Sequence, residues 1–151
     1  NPSSAPVFVR NVDNAATNPF QTQVQISFND GDASDSATVT VPDGTELVIE
    51  YLSALVDVPS GEKVLCSVET IGGCNDVTHQ GFVATLSRSP SAGTDELTVG
   101  QVTRIYADPS STVTLTCSRG PSTGGITATL SISGFLVNVP PPVCPTPTPG
   151  P

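Results

Sequence analysis

The stretch Glu46–Val58, ELVIEYLSALVDV, decides how the chain is read. It is rich in Val, Leu and Ile and contains neither Gly nor Pro. Its apolar residues also break strict alternation. That marks a strand buried on both faces, or one that bends at a sheet corner. The run Ile132–Val139 (ISGFLVNV) behaves in the same way, and Gly134 inside it fits a bend or bulge.

Working outward, helical periodicity is almost absent. Short or period-two apolar runs recur at Ala5–Val12 (APVFVRNV), Phe20–Phe28 (FQTQVQISF), Ser36–Val41 (SATVTV), Glu62–Thr70 (EKVLCSVET), His79–Arg88 (HQGFVATLSR), Asp95–Ala107 (DELTVGQVTRIYA), Thr112–Ser118 (TVTLTCS) and Ile126–Val139. Turn signals separate them, among them NDGDASD, PDG, PSGE, IGGCND and RGPSTGG. Eight or nine strands with no helix to cover a sheet predict an all-β fold. The expected form is a single antiparallel β-sandwich, jelly-roll or immunoglobulin-like, with a closed barrel as the alternative. The expected organisation is an N-terminal arm over 1–6, the sandwich over 7–139 and a Pro-rich tail over 140–151.

Four segments carry a resemblance. NVDNAATNPFQ (11–21), VPDGTELVIEYLSA (41–54), RIYADPSSTVTLTCSR (104–119) and SGFLVNVP (133–140) resemble a group of short secreted bacterial β-sandwich proteins. In that group a VPxGxxLVIExxSA strand pair and a terminal SGxLVxVP strand recur. The resemblance implies the sandwich and secretion, and it implies no catalytic activity. The segment after Pro140 departs from the pattern, because such proteins usually stop there.

Composition narrows the function. The net charge is −9, and the five basic residues (Arg10, Lys63, Arg88, Arg104, Arg119) are spread singly. Without a basic stripe to neutralise phosphates, neither nucleic acid nor an anionic lipid surface is an expected partner. No apolar stretch is long enough to span a bilayer as a helix, so membrane insertion is not expected. The chain begins at Asn1 and has no Met, and removal of a secretory signal peptide is the expected cause. Four cysteines without metal-ligand spacing fit disulfides in an oxidising, extracellular space.

Reactive clusters are missing from the sequence. His79 is the sole histidine, and no Ser sits in a nucleophile-elbow signature, so no enzymatic role and no cofactor are expected. Asp30, Asp32 and Asp35 in NDGDASD place carboxylates within one loop, the kind of oxygen set calcium takes. The EF-hand pattern fails there, since Val41 stands where the bidentate Glu would be; a solvated turn is expected, with calcium as the alternative. A glycan is the alternative partner. Sugar platforms need exposed aromatics, however; the chain lacks Trp, Tyr51 and Tyr106 fall inside predicted strands, and the Phe residues read as core.

The cysteines and the tail point to assembly. A Cys66–Cys74 bridge would close a short loop. A Cys117–Cys144 bridge within one chain is awkward, because up to roughly 60 Å of extended chain separates Ile126 from Cys144. A bond from Cys144 to a neighbouring copy has no such limit. Cys66–Cys117 together with Cys74–Cys144 stays open, since four cysteines allow three pairings. The segment Pro140–Pro151 has seven prolines in twelve residues and favours polyproline II. Val7, Phe8 and Val9 in the first apolar run, and Val143, Cys144, Pro145 and Pro147 in the tail, are the expected assembly contacts. The expected partner is another copy of the chain, in an extracellular filament or surface layer.

Overall fold

The computed structural model describes residues 18–72, 76–120 and 123–140. Among these residues there are nine strands and no helix. The strands are β1 (Pro19–Phe28), β2 (Ser34–Thr40), β3 (Thr45–Pro59), β4 (Val64–Gly72), β5 (Asp76–Val83), β6 (Thr85–Ser91), β7 (Thr94–Ala107), β8 (Thr112–Arg119) and β9 (Ile126–Asn138). They form two antiparallel sheets, one ordered β1-β9-β3-β7-β6 and the other β2-β8-β4-β5. The sheets enclose one apolar core, so the fold is a β-sandwich.

Period-two patterning builds that core. On β8, Val113, Leu115 and Cys117 point inward and alternate with Thr112, Thr114, Thr116 and Ser118. On β4, Val64, Cys66 and Val68 do the same. The opposing sheet supplies Ile26 from β1, Leu52, Val56 and Val58 from β3, and Ala128, Leu130 and Ile132 from β9. At about 1.5–3 kcal/mol for each large aliphatic side chain removed from water, this layer supplies most of the drive to fold.

The broken alternation in β3 has a local cause. Pairing with β9 runs from Thr45↔Asn138 to Ile49↔Gly134 and resumes at Tyr51↔Ser133. Glu50 is therefore an extra residue, a β-bulge that reverses the phase of the strand. Leu47 and Ile49 face the core before it, and Leu52, Ala54 and Val56 face the core after it. Gly134 sits opposite, where the β3 backbone comes closest: a Cβ on it would lie 2.9 Å from the carbonyl carbon of Val48.

The run His79–Arg88, read from sequence as one strand, is divided. Its first part lies in β5 of the four-stranded sheet and its second in β6 of the five-stranded sheet. The chain changes sheets at Ala84, which is buried and donates its N–H to the Val64 carbonyl at 3.4 Å. The predicted Ala5–Val12 strand, the 1–6 arm and most of the 140–151 tail lie outside the described residues.

Candidate interaction surfaces

One end of the sandwich is closed by a buried arginine. Arg119 is the last residue of β8 and continues its inward phase. Its Nε donates to the Asp32 carbonyl at 2.8 Å, and its Nη2 donates to the Asn29 carbonyl at 2.9 Å. Its Nη1 donates to the Thr123 and Gly124 carbonyls at 3.1 and 2.8 Å. The Glu62 carboxylate lies 3.5 Å from the same nitrogen, and the Phe28 ring centroid lies 5.6 Å from the guanidinium carbon. One side chain thus ties together the β1–β2, β3–β4 and β8–β9 loops.

In NDGDASD each carboxylate is engaged by a backbone donor of its own. The three carboxylates do not converge. Asp30 accepts from the Gly124 N–H at 2.7 Å, Asp32 from the Asn29 N–H at 2.9 Å, and Asp35 from the adjacent Ser36 N–H at 2.8 Å. Gly31 has a φ of 99° and makes the tight turn that a side chain would strain. The loop carbonyls that a cation would want are taken by the guanidinium. Among the described residues, no group of three or more His, Cys, Asp or Glu side chains is placed to hold a metal.

A second polar knot fixes the β3–β4 loop from its other side. Asp95 on β7 accepts from the Ser89 hydroxyl at 2.6 Å, the Gly61 N–H at 2.8 Å and the Ser60 hydroxyl at 3.1 Å. These donors, Ser89 foremost, hold its carboxyl below the ordinary aspartate range.

The cysteines divide into two groups. Cys66 and Cys117 face each other across β4 and β8, both fully buried, and form a disulfide with α-carbons 4.0 Å apart. Of the pairings left open by the sequence, this one excludes Cys66–Cys74 and Cys117–Cys144, and it leaves no Cys117 thiol for a neighbouring copy. Cys74 and Cys144 lie outside the described residues, as do Val7, Phe8, Val9, Val143, Pro145 and Pro147. The His79 backbone pairs with Glu69 on β4.

The sheet edges differ in character. β6 is blunted by Pro90 and Arg88 and by two register shifts against β7. β2 is short and carries Asp35. β1 has ten residues, PFQTQVQISF, with no charged side chain and with its only proline at the first position. Among the described residues, nothing pairs with β1 on the side away from β9.

The outer face of the five-stranded sheet holds what sequence reading missed. Both tyrosines point away from the core, Tyr51 with 42% and Tyr106 with 48% of their surface exposed. Val102, the cross-strand partner of Tyr51 on β7, is 81% exposed. Val48 and Phe135, paired across β3 and β9, are buried on this outer side and line a depression with Tyr106, Val137 and Val139. Phe135 is therefore not a residue of the inter-sheet core. Burial at its rim, with Asp108 adding repulsion, holds the Glu46 carboxyl above its ordinary range. The bulge residue Glu50 accepts from Arg104 at 3.0 Å on the same face.

No protein-family model matches the chain, and no curated protein matches it significantly. Among the described residues, no helix is long and apolar enough to cross a membrane.

Proposed function

We propose that the chain is a non-catalytic extracellular structural protein, a subunit of a filament or surface layer built from copies of itself. The observation that carries this reading is β1: a ten-residue edge strand without charge, open on one side among the described residues. An edge of that length and composition is a template for another strand, and soluble proteins normally blunt it. The run containing Val7, Phe8 and Val9 is the natural donor, because it is apolar, β-branched and free of Gly. A contact from one copy's donor to the next copy's edge is head-to-tail and does not close, so it propagates. The proline segment with Val143, Cys144, Pro145 and Pro147 adds a low-entropy strap between copies. The buried Cys66–Cys117 bridge favours an oxidising compartment.

Electron microscopy and sedimentation of the undenatured protein test the reading. Filaments or sheets with one repeating globular unit are expected from the native chain. Gln25→Lys with Ser27→Lys puts charge along the exposed side of β1 without touching the core, and monomers are expected. Deletion of Val143–Pro151 is expected to abolish assembly while the strand content stays unchanged. Monomers from the native chain at high concentration without reductant would overturn the reading. Normal polymers from the charged-edge variant would overturn the role of β1.

A further inference from the structure

Three strands place an uncharged polar array beside Tyr51. On β1 and β9, Gln21 pairs with Ser133 and Gln23 with Ser131. On β9 and β3, Ser133 pairs with Tyr51 and Ser131 with Ser53. These six side chains line a shallow depression of about 440 Å³ on the outer face of the five-stranded sheet. Among the described residues, none of the six has a side-chain hydrogen-bond partner.

The place of the Tyr51 ring depends on a glycine of the next strand. The next position along this row, on β7, is Gly100, paired with Ser53. A Cβ built on Gly100 would come within 3.2 Å of the phenol Cζ, and closer still to the hydroxyl. The phenol end of Tyr51 therefore lies over β7 where no side chain stands, and the residue keeps 42% of its surface exposed. This is the amphipathic arrangement in which an aromatic face meets an apolar patch of a polar ligand. No charged residue lines the depression, and Glu50, next to Tyr51 in sequence, is paired with Arg104 at 3.0 Å.

We propose that this depression is a binding subsite for a neutral saccharide, with Tyr51 as the stacking platform and Gln21, Gln23, Ser53, Ser131 and Ser133 as its hydrogen-bonding rim. A pyranose offers C–H faces to a ring and hydroxyls that both donate and accept. The rim matches this, because primary amides and hydroxyls also do both. A proline-rich peptide offers carbonyl acceptors and few donors, so the acceptor half of the rim would go unused. An acidic sugar would meet no cation among the lining residues. The volume is that of an ordinary small-ligand site, within roughly 300–1,000 Å³. The proposal is independent of assembly through the β1 edge, since it uses the face of the sheet.

Calorimetric titration of the full chain with maltohexaose, cellohexaose, chitohexaose and mannohexaose tests it. Hexagalacturonate serves as the charged control, and a peptide of residues 140–151 is titrated in parallel. Saturable binding of at least one neutral hexamer is expected, with none of the charged one. Tyr51→Ala and Gly100→Val, the latter displacing the ring without removing it, should each weaken binding by about tenfold or more. Tyr51→Phe should keep most of the affinity, and Tyr106→Ala should leave it unchanged. Tyr51, Tyr106 and Gly100 all lie on the exposed face, and circular dichroism of each variant checks that the strand content is kept. Failure of all four neutral hexamers to bind would overturn the subsite. Binding that survives Tyr51→Ala and Gly100→Val, or saturation of the site by the proline peptide alone, would overturn it equally.

Discussion

Glu62 and Arg119 meet inside the protein, with Oε2 3.5 Å from Nη1 and both side chains out of solvent. The guanidinium is satisfied by four loop carbonyls, whereas neither Glu62 oxygen has a hydrogen bond. The pair is thus asymmetric: Arg119 holds the loops, and Glu62 balances its charge. Arg119→Met is expected to cost about 3–5 kcal/mol, because it leaves a buried carboxylate without its counter-charge. Adding Glu62→Met should recover part of that loss. Urea unfolding of the two singles and the double, treated as a double-mutant cycle, measures the coupling.

The disulfide gives a second prediction. Cys66 and Cys117 are 51 residues apart and fully buried, so the bridge closes a long loop from within the core. By loop-closure entropy, its loss should lower stability by about 4 kcal/mol. Native protein should resist a mild reductant until it unfolds, because the sulfurs are not accessible to an attacking thiolate. Thiol titration with and without urea checks this. Rapid reduction of the folded protein would contradict the buried placement.

Asp95 makes one end of the sandwich sensitive to acid. Its folded carboxyl titrates below the ordinary value of 3.8, owing first to the Ser89 hydroxyl and next to the Gly61 N–H. A depressed pKa contributes stability above the unfolded value and loses it as pH falls through the folded one. Asp95→Asn should therefore melt earlier than the native chain near neutral pH. The gap should start to narrow as pH falls through about 3.8, where the unfolded chain takes up its proton, and close only below the folded value, where both side chains are neutral. The serine hydroxyls can rotate to suit an amide, whereas the Gly61 N–H cannot, so some deficit should persist in acid if the Asn amide faces Gly61. Melting curves of both proteins from neutral pH down to acid show the trend.

Strands were legible because their apolar residues keep period two and their ends carry turn residues. Three things were not, for physical reasons. Tyr51 changes face at Glu50, and a bulge shifts the phase without announcing itself in composition. The run through Ala84 has continuous strand character, and only pairing decides that its halves join different sheets. Cys66–Cys117 follows from the β4–β8 register, which spans distant parts of the chain. Arg119 was readable: it occupies the inward phase of TVTLTCSR, two residues beyond Cys117. Counting it only as one of five singly spread basic residues hid that signal.

Gly134 offers the sharpest check on the bulge. It faces Ile49 at the last paired position before Glu50, and its Cα side looks onto the Val48 and Ile49 backbone. A methyl group there would lie 2.9 Å from the Val48 carbonyl carbon and 3.1 Å from the Ile49 α-carbon. Backbone cannot move aside as a side-chain tip does, so Gly134→Ala must push β3 and β9 apart. The expected cost is about 1–3 kcal/mol, the range for overpacking a well-packed site. Deleting Glu50 removes the extra residue and leaves Ile49↔Gly134 and Tyr51↔Ser133 as consecutive pairs, so Tyr51 and the later β3 residues keep their faces. The deletion should therefore keep the strand content and the core, at the loss of the Glu50–Arg104 ion pair. It should also relax the close approach at Gly134, so Gly134→Ala is expected to cost less in the Glu50-deleted chain than in the native one. Chemical denaturation of the two single variants and their combination measures this. An unchanged cost of Gly134→Ala would mean that the bulge is not what brings the two backbones together.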